Sequence, residues 1–201
     1  MPDRLTPDAD GVARAADLLR AGHLVAFPTD TVYGIGCRIG DAGALAQLFA
    51  AKRRAPEKAV PWLVRSFDEL IRLGFGADER AARLAQRFWP GALTIVVSAA
   101  DGGASQAFRV PDHPVALALL ATAGPMAVSS ANRSGEPETL DADDVAIAFA
   151  DSDEPAATLD GGRVSGGVAS SVVDLSGERA RLVREGVLPR AQIERVIGPI
   201  D

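Results

Sequence analysis

Two cations, Lys52 and Arg54, stand one residue apart behind a polar stretch, Phe27-Pro28-Thr29-Asp30-Thr31-Val32-Tyr33-Gly34-Ile35-Gly36. Residues of these types can hold an anion. An ammonium is a compact point charge, a guanidinium is a planar fork matched to phosphate or carboxylate, and hydroxyls complete the hydrogen bonding. Later in the chain come Arg109 among apolar neighbours, a hydroxyl-rich run Ser129-Ser130-Ala131-Asn132-Arg133-Ser134-Gly135, then Ser170 and Arg184. Plainer roles are open to each. Lys52 and Arg54 suit an exposed helix end, where the dipole favours cations. Arg109 suits a structural ion pair. Thr31, Ser130 and Asn132 suit turns, and the stem of Arg184 suits apolar cover.

Other chemistries are poorly supplied. His23 and His113 lie far apart, and the single cysteine, Cys37, can complete neither a zinc set nor an internal disulfide. His113, in Pro111-Asp112-His113-Pro114, reads as a turn residue rather than a catalytic one. No glycine loop ends in Gly-Lys-Ser/Thr. Gly34-x-Gly36 with Gly40 has the wrong spacing for a dinucleotide fingerprint, which leaves an oxidoreductase reading without support.

The elements that must position these residues follow from pattern. The apolar run before Pro28 predicts a strand over 23–27, ended by the proline. Gly34 and Gly36 are read as bends that bring the backbone close to a ligand. Asp41 can cap a helix over 42–51 that delivers Lys52 at its far end. Further helices are expected over 12–21, after a Ser66–Glu69 capping box, over 78–88, from Pro114, from Asp141 and over 189–197. Strands are expected over 60–64, 93–97, 106–110, 126–128 and 156–159, with a hairpin of 170–175 and 181–184. Residues 1–10 read as loose, and the glycines at 161–162 and 166–167 as framing a mobile loop. Tyr33 and Trp89 read as core or wall. Irregular alternation of strands and helices gives a mixed α/β sheet with flanking helices.

Bulk properties narrow the field. The chain has 201 residues, of which 47% are hydrophobic, enough for a real core. A net charge of −6 argues against general attraction to nucleic acid or an anionic membrane, while permitting a local basic groove. One cysteine and an N-terminus without an apolar signal core fit a cytoplasmic protein. The most apolar region, 115–128, is broken by Gly124-Pro125 and is too short to span a bilayer.

Eight segments occur in order: the PTDTVYGIG stretch, Lys52-x-Arg54, Trp89-Pro90-Gly91-x-Leu93-Thr94, Arg109-Val110-Pro111, Ser130-Ala131-Asn132-x-Ser134-Gly135, Asp160-Gly161-Gly162, Ser170-x-Val172-Val173-Asp174 and Arg184-Glu185-Gly186. Together they resemble the YrdC-type threonylcarbamoyl-adenylate synthase family, in its short form. The resemblance covers about 16–187, so one YrdC-like domain is expected over 1–201, with a terminal helix at about 189–197. Some positions depart from the family pattern: Ala55 before Pro56, Arg65 in place of His, Ala169-Ser170-Ser171 in place of Glu-Ser-Thr, and Glu136-Pro137-Glu138-Thr139 in place of Pro-Ser-Pro-Thr.

The resemblance implies a twisted α/β sheet with a deep basic concave face. It implies a nucleotidyltransferase reaction in which L-threonine, bicarbonate and ATP give threonylcarbamoyl-AMP and pyrophosphate, for modification of adenosine 37 in transfer RNAs. Lys52 and Arg54 would be catalytic. Thr31, Arg109 and Ser170 would bind threonine, and Arg54, Ser105, Val128, Ser130, Asn132 and Arg184 the nucleotide. Mg²⁺ would travel with ATP, held through its phosphates. A downstream tRNA threonylcarbamoyl transferase complex would receive the product. The alternative is a non-catalytic or substrate-divergent relative that binds tRNA or double-stranded RNA in the same concavity.

Overall fold

The computed structural model describes residues 3–53, 60–76 and 78–201. In chain order its elements are β1 (Asp3–Leu5), α1 (Ala9–Arg20), β2 (Val25–Pro28), β3 (Tyr33–Arg38), α2 (Ala42–Ala51), β4 (Trp62–Leu63), α3 (Phe67–Arg72), α4 (Glu79–Phe88), β5 (Leu93–Ser98), β6 (Ser105–Arg109), α5 (Pro114–Ala123), β7 (Met126–Ser130), α6 (Ala142–Ala148), β8 (Ala157–Leu159), β9 (Ser171–Asp174), β10 (Arg181–Arg184) and α7 (Arg190–Ile197). The strands form one mixed sheet in the order β1-β8-β2-β3-β7-β4-β6-β5-β9-β10. No helix among the described residues is long and apolar enough to cross a membrane.

Strand periodicity sorts the core from the site. Leu24 and Ala26 pack with α2 and α6, while Val25 and Phe27 pack on the opposite face with α1 and α5. On the far half of the sheet Leu93, Ile95, Val97, Phe108 and Val173 face α3, α4 and α7. Their neighbours Thr94, Val96, Ala107, Arg109 and Val172 therefore point to the other side, where helices do not cover them. Side-chain caps fix the starts of six helices. Asp8, Asp41, Ser66, Asp78, His113 and Asp141 each accept a backbone N–H from the first turn of the helix that follows.

Four expectations need correction. The N-terminal residues are not loose: β1 pairs in parallel with β8, and α1 starts at Ala9 behind the Asp8 cap. Pro28 closes β2 but still pairs with Tyr33, because the edge of a hairpin turn asks no N–H of it. Tyr33-Gly34-Ile35-Gly36 is not a bend but the start of β3, buried between β2 and β7. Its glycines serve closeness rather than unusual angles. A Cβ on Gly34 would stand 2.8 Å from Val128 Cγ1, and one on Gly36 would stand 2.8 Å from Val128 Cγ2. The loop of 160–168, finally, is tied down. Gly162 O accepts from the Tyr33 hydroxyl at 2.8 Å, Val164 N donates to Leu140 O at 2.8 Å, and Gly167 N donates to Thr31 O at 2.8 Å.

Candidate active site

The uncovered face of β5, β6 and β9 meets the β2–β3 turn and the end of β7 around a cavity of about 390 Å³. Thr31, Arg109, Val128, Ser130, Ser170 and Arg184 all line it. These residues span most of the chain, and the register of the sheet brings them together. Val96 lies opposite Ala107, Thr94 opposite Val172, and Leu63 opposite Arg109.

Arg109, the last residue of β6, is buried, and three of its five N–H donors are engaged within the protein. Its Nε donates to Gly91 O at 3.0 Å, Nη1 to Thr31 Oγ1 at 3.0 Å, and Nη2 to Asp30 Oδ1 at 2.5 Å. Burial pushes its pKa down, Asp30 opposes that shift, and the charge of Arg184 adds to it. A guanidinium stays protonated under such pressure. The result is a poorly solvated cation, which gains more from an anionic ligand than an exposed one would.

The turn that meets Arg109 is built by threonine hydroxyls. Thr29 Oγ1 donates to Val32 O at 2.6 Å and accepts from the backbone N–H of Thr31 and Val32. With the Thr29 proton committed there, the 3.0 Å contact between the two hydroxyls leaves Thr31 as donor. Thr31 Oγ1 thus accepts from Arg109 and donates to Thr29. Asp30 Oδ1 also accepts from Asp112 N at 3.0 Å, which fixes the carboxylate behind the guanidinium.

A second cation closes the other side. Arg184, exposed on β10, donates from Nε to Ser170 O at 3.0 Å and from Nη2 to Ser170 Oγ at 3.4 Å. Ser170 Oγ lies 2.8 Å from Thr94 Oγ1 on β5. In LTIVVS a hydroxyl inside the buried, apolar part of the strand, before the terminal Ser98, is the signal that could have marked Thr94, which had no role assigned from sequence.

Lys52 is not at an exposed helix end. It is 3% exposed, at the C-cap of α2, and its ammonium donates to Ser130 O at 2.5 Å and to Asn132 O. The reason is non-local: the loop after β7 folds back over the helix end. Ser134 N bonds to Lys52 O, Ser130 Oγ donates to Asn132 Oδ1, and Asn132 Nδ2 donates to Glu136 O. Arg133, also missed from sequence, clamps that loop from behind. It donates to Ala51 O at the end of α2 and Ala148 O at the end of α6, pairs with Asp151 and lies over Phe149.

The predicted residues therefore divide. Thr31, Arg109, Ser170, Val128, Ser130 and Arg184 share the cavity, and Lys52 and Asn132 hold its Ser130 edge from beneath. Ser105 is exposed at the opposite end of β6, about 13 Å along the strand from Arg109. Arg54 lies outside the described residues. Arg65 faces a different groove beside Trp89 and pairs with Glu69. Among the described residues there is no group of three or more His, Cys, Asp or Glu side chains able to hold a metal ion.

Comparison with known proteins adds a second line of observation. The Sua5/YciO/YrdC family model, described as telomere recombination, matches residues 17–186. A putative threonylcarbamoyl-AMP synthase of Mycobacterium tuberculosis is 39% identical over 196 residues, covering 94% of this chain and 89% of that protein. The threonylcarbamoyl-AMP synthase of Bacillus subtilis is 38% identical over 208 residues, covering 98% of this chain and 60% of that protein. The crystal structure of P. abyssi Sua5 complexed with L-threonine superposes with a TM-score of 0.91 at 37% identity, covering 100% of this chain and 62% of that one. The chain thus spans about three fifths of the length of the Bacillus and P. abyssi proteins.

Proposed function

The chain belongs to the Sua5/YciO/YrdC family, and from that membership we propose that it is an L-threonylcarbamoyladenylate synthase, a nucleotidyltransferase. The observation that carries the reading is the buried Arg109–Thr31 contact in one cavity with Ser170 and Arg184. The names borne by the relatives support it, as does the threonine complex of P. abyssi Sua5.

The reaction explains why such a cavity is needed. The threonine amine attacks the carbon of bicarbonate, a C–N bond forms and water leaves, giving a carbamate. A carbamate oxygen then attacks the α-phosphorus of ATP, and the bond to the departing pyrophosphate breaks. Both reactants of that second step are anions, so fixed cations lower the barrier by offsetting their repulsion. Arg109 takes the carboxylate of threonine, with Thr31 and Ser170 completing that end. Arg184, Ser130, Val128 and Asn132 face the nucleotide. Lys52 and Arg54 serve the phosphates, Lys52 by holding the Ser130–Asn132 edge and lending its charge from behind it. Ser105 is left out, because it lies at the far end of its strand. Mg²⁺ would ride on the triphosphate oxygens.

On this reading the mixed anhydride so made would be passed to adenosine 37 of transfer RNA by a downstream transferase, and the protein would act in the cytoplasm. The test is pyrophosphate release from ATP and bicarbonate with each of the twenty amino acids offered in turn. Release that depends on threonine is expected. Release without any amino acid, or with another one preferred, overturns the assignment.

A further inference from the structure

Glu138 is a carboxylate on the wall of the same cavity. Its backbone is anchored on both sides: Asn132 Nδ2 donates to Glu136 O at 2.7 Å, Tyr33 N donates to Thr139 O at 2.9 Å, and Leu140 N donates to Asp144 Oδ2 at 2.8 Å. The side chain is therefore carried on a fixed support and not on a loose loop. Its Oε2 is buried and has no hydrogen-bond partner among the described residues.

A buried carboxylate oxygen without a donor is costly, and the group that relieves the cost best is a cationic N–H. The cations nearby are turned elsewhere. Arg109 donates to Asp30, Thr31 and Gly91, Arg184 donates to Ser170, and the Lys52 ammonium donates to the Ser130 and Asn132 carbonyls. One cavity thus holds a buried guanidinium and a carboxylate oxygen that still accepts. An amino acid is the complementary object, since it carries a carboxylate and an ammonium on one carbon.

We propose that Glu138 receives the α-ammonium of the amino-acid substrate while Arg109 receives its carboxylate, so that the two residues together select a zwitterion. This rests on the synthase reading above. ATP does not fit the Glu138 oxygen as well: its phosphates repel a carboxylate, and its ribose hydroxyls are uncharged donors. Glu138 acts in binding and aim rather than as a base. A hydrogen bond from the ammonium to a carboxylate stabilises the charged amine, so the residue sets where the nitrogen stands before it loses its proton.

Isothermal titration calorimetry at neutral pH separates the possibilities. The ligands are L-threonine, 3-hydroxybutanoate (the same skeleton without the amine) and ATP. The proteins are the wild type, Glu138→Gln and Glu138→Ala, with thermal melting as the control for folding. Glu138→Gln is expected to raise the Kd for threonine about tenfold, the worth of a hydrogen bond to a charged group. The Kd for 3-hydroxybutanoate should be unchanged, as should that for ATP. Equal threonine affinity in wild type and both variants overturns the proposal and leaves the functional reading standing. Weakened ATP binding with threonine binding intact also overturns it and assigns Glu138 to the ribose. A wild-type protein that binds no threonine overturns both readings together.

Discussion

The Arg109 guanidinium lies 2.5 Å from the Asp30 carboxylate, with side chains 9% and 16% exposed. The two residues belong to different elements, β6 and the β2–β3 turn, so their contact pins the turn that carries Thr31 to the floor of the cavity. A pair this buried is weak evidence of stabilisation, because desolvation offsets much of the Coulomb attraction, yet breaking it is costly.

Arg109→Ala should therefore remove about 3–5 kcal/mol of stability, by leaving Asp30 uncompensated. It should also abolish threonine-dependent pyrophosphate release. Arg109→Ala with Asp30→Asn should recover part of the stability and none of the activity. Urea unfolding and the pyrophosphate assay together check this. Full activity in either variant would remove Arg109 from the amino-acid site.

Lys52→Ala should do two things that an exposed lysine would not. Two backbone carbonyls lose their donor, at a cost of about 1–3 kcal/mol each when buried. The loop of Ser130 and Asn132 then loses its support, and turnover should fall by at least about a hundredfold. Chemical denaturation and single-turnover kinetics measure the two effects separately. A stable variant with normal turnover would show that the ammonium serves neither the loop nor the reaction.

Gly34→Ala and Gly36→Ala should each destabilise by about 1–3 kcal/mol, because the new methyl meets Val128 at 2.8 Å in a packed sheet. Val128→Ala opens that space. The double variant Gly34→Ala with Val128→Ala should be more stable than the sum of the two changes implies. Strict additivity in a double-mutant cycle would place the clash elsewhere.

Alkaline pH should weaken the fold through two buried groups. Burial pushes the Tyr33 hydroxyl up to about 12 from 10.0 and the Cys37 thiol up to about 11 from 9.0. The unfolded chain then binds fewer protons than the native one, so stability falls as pH rises. The loss starts near pH 9 for Cys37 and near pH 10 for Tyr33, and is complete above their folded values. Each contributes on the order of 2–3 kcal/mol over its interval. Tyr33→Phe should flatten the upper part of this limb. It should also lower stability at neutral pH, since the hydroxyl bonds Gly162 O and Gly161 N. Denaturant midpoints across pH 8–12 give the comparison, and an unchanged alkaline limb in Tyr33→Phe would assign the loss to other groups.

Much of the fold was legible because its signals are local. Asp41, Ser66, Asp78 and Asp141 announce helices by a side-chain oxygen just before the first turn, a relation complete within four residues. The strands expected over 93–97 and 106–110 form within a residue of those bounds as β5 and β6. What escaped depends on partners far along the chain. β3 looks like a glycine bend until Val128 is laid across it, and β1 has no character of its own apart from its pairing with β8. The cavity residues were found by their types and order, but the burial of Lys52 was not, because a loop eighty residues later covers it. Glu138 stood out only within a departure from the family pattern, which says nothing of its surroundings. Only its place on the wall distinguishes it from any surface acid.

The alternation along β5, β6 and β9 has an evolutionary consequence. Each of these strands writes two messages at once, one in its odd positions and one in its even positions, and a single-residue insertion or deletion would swap them. Leucine and isoleucine would be thrust into the pocket, and threonine and arginine would be driven among the helices. Change in this binding chamber is thereby confined to substitutions, while the turns beyond its rim stay free to vary in length.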